Sequence, residues 1–263
     1  MAATAVSAPA RARELTTRPA PATTRRSGRP VRWLPELALV AALYAVYMAA
    51  RAVIGVPVAD AEARGADILR WEGWLHLDME APLNDLLGSL PALGLISAYL
   101  YATLHYLVTP AVLLWTALRR RHGYRVERNA LLIATVLGLV GYWLLPTAPP
   151  RLIDAGLTDT MAAFADVGWW GDAASAPRGM EGLSNQYAAM PSLHVGWAVW
   201  VAVCVMHHNS QRWIRRGVWV YPAVMAFVVM ATANHYLLDV VGGVAVAVAG
   251  TWIVRTLDRR RDQ

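Results

Sequence analysis

The feature that most constrains this chain is a series of apolar blocks, several of them close to the length of a membrane span, separated by short arginine-bearing segments. A helix needs about 20 consecutive apolar residues to cross the hydrocarbon core of a bilayer. The blocks fall at about 34–56, 91–117, 129–146, 191–207, 217–235 and 236–254. They predict an all-α membrane protein, a bundle of six transmembrane helices. Hydropathy alone would join the last two blocks; Asn234, His235 and Tyr236 mark the turn that divides them. Charged residues make up 16% of the chain, well below the roughly 25% of a soluble domain.

Arginine orients the bundle. All 24 basic residues are arginine, and lysine is absent. Seven arginines precede Trp33, five lie in the 119–128 loop, three in the 207–216 loop and four after Val254. The opposite side has only Arg51, Arg64, Arg70, Arg151 and Arg178. Nineteen against five is a strong positive-inside bias. It puts both termini in the cytoplasm, as an even number of spans requires. The formal charge of +6 is therefore a matter of topology, and no nucleic-acid partner is expected.

Residues 1–32 are rich in Ala, Thr, Pro and Arg, have no apolar period and read as a disordered basic cytoplasmic tail. A signal peptide cleaved near Ala50 fits poorly with so long a leader and so long an apolar block. A six-helix catalytic domain over 33–257 follows, and 258–263 form a second cytoplasmic tail. Cys204 lies inside an apolar run and reads as a small buried hydrophobe.

Two longer segments fall outside the cytoplasm. Residues 57–90 carry seven acidic residues interleaved with Ile68, Trp71, Trp74 and Leu75, the pattern of one or two amphipathic helices lying at the outer interface. Residues 147–190 form a loop rich in Gly, Ala and Asp, in which Trp169-Trp170 serves either as an interfacial anchor or in packing.

The same topology gathers three short stretches at the outer face: Pro146-Thr-Ala-Pro-Pro-Arg151, Ala189-Met-Pro-Ser-Leu-His194 and Asn234-His-Tyr-Leu-Leu-Asp239. His235 and Asp239 are four apart, hence on one helical face. A carboxylate there accepts the proton of one imidazole nitrogen and leaves the other free as a nucleophile. His194 sits one turn into a helix begun by Pro191, a favoured first helical position. That helix start offers unpaired N–H groups to an anion. Ser192 adds a hydroxyl, and Arg151 a fork that matches phosphate oxygens. These parts make a phosphate site with a nucleophile, an acid and a cation.

Other readings compete. His235 and Asp239 could ligate a metal, with His194 as the third ligand, though no further acidic or thiol ligand is obvious. His105 reads as a buried polar group with a carbonyl partner, His207 and His208 as solvated, and His76 and His122 as loop residues. Ionisable groups within spans are expensive, which favours function for His194, His235 and Asp239 taken together.

The second and third stretches resemble signatures of the phosphatidic acid phosphatase type 2 superfamily. The first resembles that signature in the branch containing fungal inositol phosphorylceramide synthase. The resemblance runs from about residue 60 to 254 and implies a six-helix membrane core with a metal-independent, cofactor-free mechanism. It implies that His235 attacks phosphorus, that Asp239 orients it, that His194 protonates the leaving oxygen and that Arg151 binds phosphate. Classical members carry a lysine in the first signature and an arginine six residues before the third-signature histidine; here no lysine exists and that position is Val229. Arg178 is the candidate to compensate. The implied activity is that of a lipid phosphatase or phosphotransferase acting on a lipid or polyprenyl phosphate through a phosphohistidine. Water or an alcohol such as inositol or a sugar would resolve that intermediate. The alternative is a non-catalytic lipid-phosphate binder or transporter on the same bundle.

Overall fold

A computed structural model describes residues 33–54, 57–171, 178–179 and 185–261. The basic tail expected over 1–32 lies outside them. The described residues are helical: α1 (Trp33–Ile54), α2 (Val58–Trp74), α3 (Glu80–Ser89), α4 (Pro91–Arg119), α5 (Arg121–Leu144), a 3-10 turn (Pro150–Leu152), α6 (Thr160–Ala163), α7 (Leu193–His208), α8 (Arg212–Gly217), α9 (Val220–Ala231) and α10 (Leu237–Arg261). Among the described residues, three helical stretches are long and apolar enough to cross a membrane: Pro91–Arg119, Arg212–Ala231 and Leu237–Arg260.

α7 is the centre. It packs on α4, α5, α9 and α10, and Val195, Ala198, Val199, Trp200, Val201 and Ala202 along it are all buried. A helix apolar on every side is a core helix. Its neighbours carry their unburied apolar residues outward: Leu107, Leu114 and Leu118 on α4, and Val241, Val244, Val248 and Trp252 on α10 are exposed. Apolar surface of this extent on helix exteriors is compatible with a membrane protein.

Close approach of α10 to the start of α7 depends on Gly243, where a Cβ would collide with the carbonyl oxygen of Ser192. Small residues at such crossings let backbones touch.

Several boundaries differ from those read in the sequence. The arginine-rich stretch 119–128 is mostly the first turns of α5, with His122 inside that helix and Arg120 as the break. Within that helix Glu127 is buried and pairs with Arg255 at 3.2 Å, and the His208 ring lies 3.4 Å from its carboxylate. His208 is partly buried, and His207, exposed as expected, contacts the Arg255 guanidinium at 2.7 Å. The Trp169-Trp170 pair packs: Trp170 is fully buried and donates to the Met161 carbonyl, and Trp169 donates to Thr103 Oγ1.

α9 ends and α10 begins around the expected turn. Ala233 adopts φ 57°, the left-handed region. Its N–H bonds to Met230 O and that of Asn234 to Val229 O. This is the Schellman helix ending, in which glycine is the usual occupant of that left-handed position. It lifts His235 off the end of α9 and delivers it two residues ahead of α10.

Candidate active site

The three stretches meet, and backbone hydrogen bonds lace them together. The first joins the second where Thr147 N–H donates to Tyr187 O and Ala189 N–H to Thr147 O, at 2.9 and 3.2 Å. It joins the third where Arg151 N–H donates to Ala233 O at 2.9 Å and Tyr236 Oη to Ala148 O at 2.7 Å. The second joins the third where Ser192 N–H donates to Asp239 O at 2.9 Å. With so many cross-links, the relative positions of the side chains they carry are set by backbone.

His235 is the best-defined group. Its Nδ1 lies 2.9 Å from Ala189 O and 3.3 Å from Asp239 Oδ2. Both partners are acceptors, so Nδ1 carries the proton and Nε2 keeps its lone pair. Asp239 is fully buried, and its Oδ2 also accepts the Tyr236 N–H at 3.0 Å. The carboxylate therefore sits against the edge of the imidazole opposite Nε2. His235 stands in the turn, so the pair is formed by the turn and the first coil of α10 rather than by one helix face.

A cavity of about 260 Å³ opens beside this pair, lined by His235, His194, Arg151, Asn234, His105, Tyr101, Trp197 and others. His194 lies in the first turn of α7, which starts at Leu193 with Ser192 as its N-cap rather than at Pro191. Its ring stacks on Tyr101 at 4.5 Å, meets His105 edge-on at 4.4 Å and stands 5.8 Å from the His235 ring. Its Nε2 is buried without a hydrogen-bond partner.

Arg151 is held from two sides. Nε donates to Asn234 Oδ1 at 2.9 Å and NH1 to Asp159 Oδ2 at 3.2 Å. Its side chain is only 3% exposed, a guanidinium fixed on the cavity wall. Two other candidates stand elsewhere. Ser192 is fully buried and does not line the cavity; its backbone rather than its hydroxyl serves the site. Arg178 also lies off the cavity wall, because its guanidinium is engaged by the carbonyl oxygens of Trp170 and Ala165.

His105 has the expected carbonyl partner, Tyr101 O at 3.1 Å, and also forms cavity wall beside His194. Its four-residue spacing from Tyr101 was the available sign that both face the same way. The Ala189 carbonyl left no sign, since any residue there would supply it.

A helical chain with exposed apolar helix exteriors and a polar cavity lined by His105, His194 and His235 is compatible with a membrane protein. The PAP2 superfamily model matches residues 66–253, and the chain belongs to that superfamily, of the phosphatidic acid phosphatase type 2 kind. No curated protein and no solved structure matches it.

Proposed function

We propose that this protein is an integral-membrane lipid phosphatase or phosphotransferase that cleaves a lipid or polyprenyl phosphoester through a phosphohistidine. One observation carries the reading: the Nδ1 proton of His235 is committed to two acceptors, which leaves Nε2 as a lone pair on a cavity that also holds His194 and Arg151. A binder or transporter needs cations on its wall and has no use for an oriented imidazole.

In the first half-reaction Nε2 of His235 bonds to phosphorus as the bond to the lipid oxygen breaks. His194 gives that oxygen its proton. Arg151 holds two phosphoryl oxygens, and the imidazolium that forms is balanced by Asp239. In the second, water or an alcohol attacks phosphorus while His194 takes its proton and the N–P bond breaks. Histidine can serve as acid and then base in this way because a ring nitrogen can give up a proton and take one back. The chemistry is metal-independent in this account: the Asp239 carboxylate faces Nδ1, so it cannot share an ion with Nε2.

The six-span arrangement places α1, α4, α5, α7, α9 and α10 across the bilayer of the cell membrane, with both termini cytoplasmic. The cavity then lies at the extracytoplasmic face. α2 and α3 lie at that interface, a reading supported by the exposed Trp71, Trp74 and Leu75. Val229 and the absence of lysine favour the inositol phosphorylceramide synthase-like branch, with an inositol or sugar hydroxyl as acceptor. The test is to supply radiolabelled lipid phosphates with and without candidate alcohols. Label in free phosphate means hydrolysis, label in the alcohol means transfer, and label in neither contradicts the proposal.

A further inference from the structure

α10 begins under three carboxyl groups drawn from three elements. Asp239 accepts the Tyr236 N–H, Glu80 of α3 accepts the Leu237 N–H at 2.6 Å, and Glu72 of α2 accepts the Leu238 N–H at 2.6 Å. These are the first N–H groups of the helix, which have no partner within it. Glu72 and Glu80 are 0% and 1% exposed. They accept from consecutive residues, Leu237 and Leu238, so both carboxyl groups face the same helix start. Each has a second oxygen, Oε2, buried with no donor. Two ionised carboxylates cannot be held so; one proton lying between them answers both orphan oxygens. The titratable groups facing the pair are Asp239 and Tyr236 and, beyond Asp239, His235.

Resting on the phosphohistidine reading above, we infer that Glu72 and Glu80 are a proton-sharing carboxyl pair that positions His235 by clamping the start of α10. They touch neither cavity nor substrate; they act on the turn that carries the nucleophile. While the pair keeps its proton, three successive N–H groups are held and His235 stays against Ala189 O. When the proton leaves, two buried negative charges repel beside a third, the clamp opens and the imidazole loses its fixed tautomer. Burial chiefly pushes Glu72 up to about 8, and Glu80 is raised for the same reason, so the opening belongs to the alkaline side of neutrality.

The experiment uses full-length protein in lipid nanodiscs. Glu72→Gln and Glu80→Gln each keep an oxygen for the Leu N–H and supply a permanent donor in place of the shared proton. Unfolding midpoints are recorded from pH 5 to 8. A buried carboxyl whose pKa is raised on folding loses stability over the interval between its unfolded and folded values. The wild-type midpoint should therefore fall from pH 5 to 8, and each Gln variant should fall less. An unchanged slope overturns the pair, whatever the activity.

The second arm follows the ¹⁵N shifts of His235, assigned with His235→Gln. Wild type should hold the Nδ1–H tautomer at pH 6.5 and average the two tautomers at pH 9, and Glu72→Gln should hold one at both. A single tautomer in wild type at pH 9 overturns the positioning role. On substrate, Glu72→Ala should lower kcat about tenfold with KM within twofold, and Glu72→Gln should restore it. Lack of turnover by wild type on any lipid phosphate, with both physical arms as expected, counts against the phosphohistidine reading and leaves the clamp standing.

Discussion

The imidazole Nδ1 of His235 stands 2.9 Å from the carbonyl oxygen of Ala189, nearer than the 3.3 Å that separates it from Asp239. The residue that opens the second signature therefore shares the work of fixing the tautomer with the carboxylate of the third. Asp239→Asn should accordingly be milder than a triad carboxylate change that lets the wrong tautomer in, which costs about 10⁴ in kcat. A fall of about 10², with KM unchanged, is expected. Steady-state kinetics on one lipid phosphate checks it; a loss equal to that of His235→Ala would mean that the carbonyl does not hold the ring.

Two arginines named by the sequence should separate in function. Arg151→Lys cannot donate to Asn234 and Asp159 while also holding phosphate, because an ammonium lacks the planar fork. Hydrogen bonds to charged groups are worth about 1.5–3 kcal/mol, so kcat/KM should fall about 10- to 100-fold. Arg178→Ala, whose guanidinium is engaged by loop carbonyls, should keep kcat/KM within twofold. Equal losses from both would place Arg178 on the substrate.

Packing and chemistry should separate too. Gly243→Leu drives a side chain into the Ser192 carbonyl; overpacking of this sort costs about 1–3 kcal/mol or more, and folded yield in membranes should drop severalfold. His235→Ala opens onto a cavity and should leave the yield near wild type. Size-exclusion profiles of both variants decide the point.

Sidedness is checked by labelling. On a Cys204→Ala background, Asp154→Cys and Thr158→Cys, both exposed, should react with an impermeant thiol reagent on intact cells. Arg120→Cys and Ser210→Cys should react only after permeabilisation. The reverse pattern would put the cavity in the cytoplasm.

How much of this was legible in the sequence follows from distance along the chain. His235 with Asp239, and His194 near a helix start, announce themselves within a few residues, and arginine placement alone brought the three stretches to one face. Glu72 and Glu80 looked like water-facing charges of an amphipathic segment. Their partners, Leu238 and Leu237, lie 166 and 157 positions away, and no local pattern carries that information. Arg178 was named for its place in the loop, and nearby carbonyls engage its guanidinium. His105 was read correctly as to partner and missed as cavity wall, because its packing against His194 depends on how α4 meets α7.

The central claim is that His235 carries the phosphoryl group while His194 handles the proton, and a rapid-quench burst measurement with ³²P-labelled substrates tests it directly. General acid catalysis is typically worth about 10² to 10⁴, a contribution that shrinks when the departing oxygen needs no proton. With an alkyl phosphate, both His235→Ala and His194→Ala should give no burst of labelled protein. With an activated aryl phosphate, His194→Ala should recover an acid-labile, base-stable phosphoprotein and His235→Ala should not. Labelled protein from His235→Ala, with none from His194→Ala, would contradict the account and exchange the roles of the two histidines.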